Sequence, residues 1–254
     1  AKPWPGGSRL EPHEAGVQAL VEDIVAADNA AGERTRALLV VQRGRVQAEA
    51  YGPGITRTTP LLGWSMGKSI TAIMLGRLEA MGQIAVSESG LFTAWRKDQR
   101  AAITVENMLH MSSGLAFLED YVPGSDSTRM LFMSPSASDV ALESPLEKEP
   151  GSVFYYSSGT TNLLSRLAFE RAGGTAQAQL DFFHREFAQP LALENTVLEP
   201  DASGVFVGSS YVYATARDWA RFGQLVLDGG EINGQRLLTE DWVRRAVQPN
   251  TSDN

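Results

Sequence analysis

A serine followed three residues later by a lysine is the pairing in this chain best suited to chemistry. In Gly63-Trp64-Ser65-Met66-Gly67-Lys68 both fall at the start of a helical pattern. Residues three apart on a helix share a face, with Cβ atoms about 5–6 Å apart, so the Lys68 amine can reach the Ser65 hydroxyl. A serine at a helix N-terminus also sits where free backbone N–H groups and the helix dipole favour developing negative charge. A lysine near neutral pH is a poor base unless it is desolvated or set among other groups. Ile70, Ile73 and Met74 supply an apolar face that would bury its stem.

The same six residues also satisfy Gly-x-Ser-x-Gly, the elbow that presents a serine to a histidine base. An elbow needs a buried strand ahead of the serine and, downstream, an acid followed by a histidine. Pro60, just ahead, is a poor resident of a central strand. The downstream histidines, His110 and His184, fall in helical patterns beside apolar residues, where a packed or surface imidazole is the plain reading. Spacing alone does not decide between these mechanisms. With 21 serines and 4 lysines among 254 residues, about 0.3 Ser-x-x-Lys matches arise by chance, and a surface lysine stays an alternative.

The elements that must position the pair follow from periodicity. A helix is expected from about 12 to 29, then a hairpin over 36–51 turning at Arg43-Gly44. Helices are expected at 65–81, 104–110, 138–143, 159–172, 175–188, 215–227 and 239–247, several opened by a capping residue such as Thr215 or Thr239. Gly82, Gly173-Gly174 and Gly229-Gly230 end three of them. The segment from Asp120 to Ser138, rich in Ser, Pro and Gly, reads as a mobile surface loop near a site. Strands early and helices in the middle suggest an α+β fold with a helical lobe beside a sheet. A hairpin alone leaves its edges uncovered, so more strands are required.

Composition excludes several classes of function. A net charge of -8 argues against a nucleic-acid partner, and no apolar run approaches a membrane span. Without cysteine there is no disulfide or thiol nucleophile, and three scattered histidines (His13, His110, His184) suggest no metal site. The chain begins at Ala1, which reads as a removed leader or a trimmed chain.

The stretch from Thr58 to Thr71 resembles the active-site segment of the penicillin-recognising serine hydrolases: class C β-lactamases, D-alanyl-D-alanine peptidases, related esterases and 6-aminohexanoate oligomer hydrolases. Thr104 to Leu115 is similar to the helix and loop that follow in that family. Pro150 to Ser158 resembles its second motif, a Tyr-x-Asn after a Pro-Gly turn, and Ser210 to Gly223 its late helix. The likeness runs in order from about residue 36 to residue 248.

The resemblance implies a β-lactamase/transpeptidase-like α+β fold, an antiparallel sheet flanked by helices with an inserted helical lobe. Residues 1–64 would belong to the sheet lobe and 65–248 to the mostly helical lobe holding the active-site helix. Tyr156 is implied as the catalytic tyrosine, relaying a proton among Ser65, Lys68 and the leaving group, an aromatic packed at a helix start being the alternative. Ser158 stands where the family carries asparagine, a departure that points toward the esterase and aminohexanoate-hydrolase branch. Ser158 and Trp64 are expected as substrate-binding or supporting residues. The family's third motif, Lys or His before a small residue and Gly on a core strand, is expected beyond residue 254 together with the remaining strands and the second oxyanion donor, on the same polypeptide or a separate chain. Ser252-Asp253-Asn254 reads as a coincidence, since the Ser-Asp-Asn motif of class A β-lactamases lies closer to the serine.

The resulting expectation is a serine hydrolase that cleaves a small ester or amide through an acyl-enzyme on Ser65, with no metal or organic cofactor. A β-lactamase or D-alanyl-D-alanine peptidase and a non-catalytic penicillin-binding sensor module are the alternatives. A bacterial periplasmic or secreted location fits a removed leader, and a cytoplasmic one stays open.

Overall fold

The computed structural model describes residues 2–249, so Ser252-Asp253-Asn254 lies outside the described residues. The chain folds as two compact units. One takes in the chain up to Leu62, His184–Val197 and Tyr213–Leu237; the other takes in Gly63–Phe183, Leu198–Val212 and the chain from Leu238 on. No helix among the described residues is long and apolar enough to cross a membrane.

In the first unit, helix α1 (Ala15–Ala31) begins where the Glu14 carboxylate accepts the Val17 N–H at 2.7 Å and ends on Gly32 in the left-handed region. Strands β1 (Ala37–Gln42) and β2 (Arg45–Tyr51) form the expected hairpin. Arg43 and Gly44 both have positive φ, +53° and +69°, the backbone hand that a two-residue hairpin turn requires. Val46, Ala48 and Ala50 alternate onto the buried face of β2, and Val21 and Val25 of α1 close over Ala48 and Ala50. The further strands are short: β3 (Leu61–Leu62), β4 (Thr196–Leu198), β5 (Val212–Ala214), β6 (Glu231–Ile232) and β7 (Gln235–Arg236). They form a β3-β5-β4 sheet and a β6-β7 hairpin, with Leu61 antiparallel to Ala214 and Leu62 to Tyr213. Runs of two or three residues carry no readable alternation, which is why periodicity revealed only the first hairpin.

Helix α8 (Ala216–Leu227) is capped as expected, the Thr215 hydroxyl accepting the Asp218 N–H at 3.1 Å. It carries three buried charges, Arg217, Asp218 and Arg221. Asp218 and Arg221 are fully buried and paired at 2.7 Å, and the guanidinium also reaches the carbonyls of Pro5 and Gly7. Arg217 pairs with Glu49 of β2, Nε to Oε2 at 2.8 Å, and the Tyr51 hydroxyl donates to the same carboxylate at 2.9 Å. Burial pushes the Glu49 carboxyl up, but the Arg217 hydrogen bonds and charge, with the Tyr51 hydroxyl, outweigh it and hold the group below its usual range.

In the second unit, helix α2 (Met66–Ala80) packs on α6 (Ser158–Arg171), and α3 (Val105–Leu109), α4 (Asp126–Phe132), α5 (Asp139–Leu142) and α7 (Ala176–Phe183) pack on α6 as well. Every residue of α6 from Ser158 to Ser165 is buried, as befits a helix covered on all sides. Helix α9 (Glu240–Ala246) follows the Thr239 cap. The expected 175–188 helix is α7 continued by a π turn over His184–Ala188.

One expectation is corrected here. The Asp120–Ser138 segment is not a structureless loop, because α4 forms within it. The Ser125 hydroxyl caps the Thr128 N–H at 3.3 Å, Asp126 favours the first turn, and Ser127 and Met130 are buried. With Phe132 and Met133 exposed, so short a helix shows no apolar stripe in the sequence.

Two glycines set how closely α2 approaches the loop before β5. A Cβ on Gly67 would lie 2.8 Å from the Gly208 carbonyl oxygen, and one on Gly208 would lie 2.2 Å from the Thr71 hydroxyl. Thr71 itself donates to the Gly208 carbonyl at 3.1 Å. Gly67, which completes the apparent elbow motif, thus serves close packing.

Two outcomes follow for stability. Because the folded-state value of Glu49 is depressed, its pairing stabilises the protein above about pH 4.5 and is lost as pH falls through the lowered value. Glu49→Gln is expected to cost about 1–3 kcal/mol at pH 7 and to flatten the acid limb of stability against pH, measured by urea unfolding. Gly67→Ala should destabilise by about 1–3 kcal/mol in the same assay despite alanine's higher helix propensity, because the atom it meets is backbone.

Candidate active site

All five residues singled out in the sequence, Trp64, Ser65, Lys68, Tyr156 and Ser158, lie in the second unit. Gly63 donates its N–H to the Val212 carbonyl at 2.8 Å, Trp64 then turns the chain, and α2 begins at Met66. Trp64 has φ +44°, a left-handed conformation rare for a bulky side chain and costing on the order of 1–3 kcal/mol. Around it, Met66 N–H bonds the Gly63 carbonyl at 3.0 Å and Gly67 N–H the Trp64 carbonyl at 2.8 Å. The indole meets Tyr211 edge-on, ring centres 6.0 Å apart, and the Tyr211 hydroxyl donates to the Leu131 carbonyl of α4 at 3.5 Å. The indole is half exposed, on the solvent side of the turn.

Ser65 occupies the cap position of α2 but makes no side-chain cap bond. A capping serine ordinarily spends its oxygen on a backbone N–H one turn on. Here Ser65 Oγ faces Lys68 instead, with Nζ at 3.1 Å. Lys68 donates also to the Ser209 carbonyl at 3.1 Å, and its nitrogen stands over the Tyr156 ring, 4.8 Å from the centroid. At that distance the ring face is a cation–π partner for the lysine in its protonated form. Tyr156 therefore meets Lys68 with its face, and its side chain is 40% exposed. The Ser65 backbone N–H has no acceptor among the described residues.

Ser158, the first residue of α6, is buried and turned toward a carboxylate. Its N–H and its hydroxyl both bond Glu119, at 2.7 and 2.6 Å, and the Tyr121 hydroxyl donates to Glu119 at 3.0 Å. Burial, and then the charge and hydrogen bond of Glu119, push the Tyr121 phenol above its usual range. On the other side of Tyr156, the Tyr155 N–H donates to the Met111 carbonyl at 2.6 Å. The segment bearing Tyr156 is thus pinned on both flanks.

Among the described residues Lys68 is the side chain bonded to Ser65 Oγ, and neither histidine meets it. His110 ends α3 and His184 opens the π turn. Sequence reasoning did not find Ser209, Glu119 or Tyr211. Ser209 contributes a backbone carbonyl, which no residue type advertises, and Glu119 acts across 39 residues. The one available signal was position, Ser209 and Tyr211 flanking or opening the stretch that resembles the family's late helix.

Residues 17–254 match the Beta-lactamase family. The chain is 26% identical over 227 residues to the 6-aminohexanoate-dimer hydrolase of Paenarthrobacter ureafaciens, a match covering 84% of this chain and 57% of that protein. Among solved structures, one from Bacillus anthracis described as a 6-aminohexanoate-dimer hydrolase matches with a TM-score of 0.73 at 21% identity, covering 86% of this chain and 61% of that one. A family VIII carboxylesterase matches with a TM-score of 0.68 at 16% identity, covering 93% of this chain and 76% of that one. The chain thus spans less than two thirds of the length of the first two proteins. By the extent of the family match and by its β-lactamase/transpeptidase-like fold, the chain belongs to the Beta-lactamase family of serine hydrolases.

Proposed function

We propose that this chain carries the nucleophile and base of a hydrolase that cleaves a small ester or amide through an acyl-enzyme on Ser65. The observation that carries the reading is Lys68 Nζ at 3.1 Å from Ser65 Oγ while a second bond, to the Ser209 carbonyl, fixes the same nitrogen. In the neutral amine, one N–H satisfies that carbonyl and the lone pair faces the serine. Lys68 then takes the Ser65 proton as Oγ attacks the substrate carbonyl carbon. The oxyanion forms beside the Ser65 N–H at the mouth of α2, where the helix dipole favours negative charge. Tyr156 passes its proton to the departing alcohol or amine and takes over the one held by Lys68, so that the carbon–heteroatom bond breaks, an acyl ester remains on Ser65 and Lys68 is again neutral. Water, losing its proton to Lys68, attacks the ester; the bond to Ser65 Oγ breaks, Oγ takes that proton back, and the carboxylic acid is released.

The names of the relatives support an amide or ester as the bond cleaved. The commitment of the Ser158 hydroxyl to Glu119 supports a supporting place for that residue, holding the start of α6, over a substrate contact. A half-exposed Trp64 beside the nucleophile supports an apolar acyl group.

Turnover of p-nitrophenyl acetate and butyrate tests the reading. Ser65→Ala and Lys68→Ala are each expected to lower kcat by about a thousandfold or more, and Tyr156→Phe by about a hundredfold. Intact-mass measurement should show a transient acyl adduct on Ser65. A penicillin adduct that forms quickly and persists, with no ester turnover, would establish a penicillin-binding module in place of a hydrolase.

A further inference from the structure

Asn162 lies one turn into α6, 1% exposed, and Ser209 is fully buried. Asn162 Oδ1 accepts the Ser209 N–H at 3.1 Å, and Nδ2 donates at 3.1 Å to Ser209 Oγ. Nδ2 also lies 3.1 Å from Met130 Sδ. A backbone N–H can only donate, which fixes the orientation of the amide. Ser209 Oγ, which accepts from Nδ2, also lies 2.9 Å from Ser210 Oγ in a bond that either hydroxyl can donate. The remaining polar group of Ser209, its carbonyl, is the oxygen that holds Lys68.

The flanking residues repeat the arrangement. Ser165, three residues beyond Asn162 on α6, donates to the Phe206 carbonyl at 2.6 Å, while Thr71, three residues beyond Lys68 on α2, donates to the Gly208 carbonyl. Two helices thus each offer two polar groups to one short loop. Within it, Asn162 holds the Ser209 N–H and hydroxyl and so the place of its Cα, while the Ser210 N–H, in one peptide plane with the Ser209 carbonyl, donates to the Val207 carbonyl at 3.1 Å and sets the direction in which that carbonyl faces Lys68.

We propose that Asn162 is a positioning residue for the base: by clamping Ser209 it fixes the place of the residue whose carbonyl keeps the Lys68 nitrogen within reach of Ser65. This rests on the reading of Lys68 as the base. Asn162 itself touches neither substrate nor the reacting atoms.

The test is steady-state hydrolysis of p-nitrophenyl butyrate. Asn162→Ala should lower kcat at least about tenfold with KM within about twofold, since a displaced base slows chemistry without altering binding. Asn162→Asp, whose carboxylate can still accept the Ser209 N–H, should restore part of the loss. Should Asn162→Ala fail to fold by circular dichroism, Ser209→Ala removes only the Oγ half of the clamp and is expected to lower kcat about two- to fivefold at constant KM. A folded Asn162→Ala with wild-type kcat, or with its loss entirely in KM, overturns the proposal; so does wild-type kcat in Ser209→Ala when Asn162→Ala does not fold. Lys68→Ala in the same assay separates the two levels. Turnover surviving Lys68→Ala sinks the reading of the base, whereas turnover lost in Lys68→Ala but intact in Asn162→Ala sinks the clamp alone.

Discussion

The site depends on a single nitrogen being held between two oxygens. Lys68 Nζ lies 3.1 Å from the Ser65 hydroxyl and 3.1 Å from the Ser209 carbonyl, with a tyrosine ring beneath it. A long flexible side chain loses on the order of 1.5–2 kcal/mol of rotamer freedom when fixed, so its partners must outweigh that cost. These partners carry no charge: a hydroxyl, a peptide carbonyl and a π face. They fix position without placing a carboxylate against the amine.

The surroundings of that nitrogen follow from close approach. Gly67 and Gly208 lack the Cβ atoms that would separate α2 from the loop, and Thr71 bonds across the contact. Ahead of the serine, Trp64 turns the chain in a left-handed conformation, leaving Ser65 at the helix start with its hydroxyl uncommitted to capping. A strained residue persists where neighbouring bonds over-determine it, and here the Gly63–Val212 and Gly67–Trp64 bonds lie on either side of it.

How much of this was legible in the sequence depends on range. Ser65 and Lys68 are three residues apart on one helix, so their meeting follows from helical geometry. The caps at Thr215 and Thr239 and the Arg43-Gly44 turn are equally local, and the expected helices lie within a few residues of those observed. Tyr156 was reached by family resemblance, because nothing local joins it to Lys68 across a separation of 88 positions. The Ser209 carbonyl, 141 residues from Lys68, was out of reach altogether, since a backbone acceptor leaves no mark on residue type. Helix α4 was missed because its exposed Phe132 leaves no apolar stripe, and strands β3 to β7 because two or three residues show no alternation.

The most direct measurement is a high-resolution crystal structure of the protein after reaction with an alkyl fluorophosphonate. The account predicts phosphorus bonded to Ser65 Oγ, a phosphonyl oxygen near the Ser65 N–H, and Lys68 Nζ within about 3.3 Å of both Ser65 Oγ and the Ser209 carbonyl oxygen. Phosphorus on another residue, or Lys68 turned into solvent away from both oxygens, would contradict it.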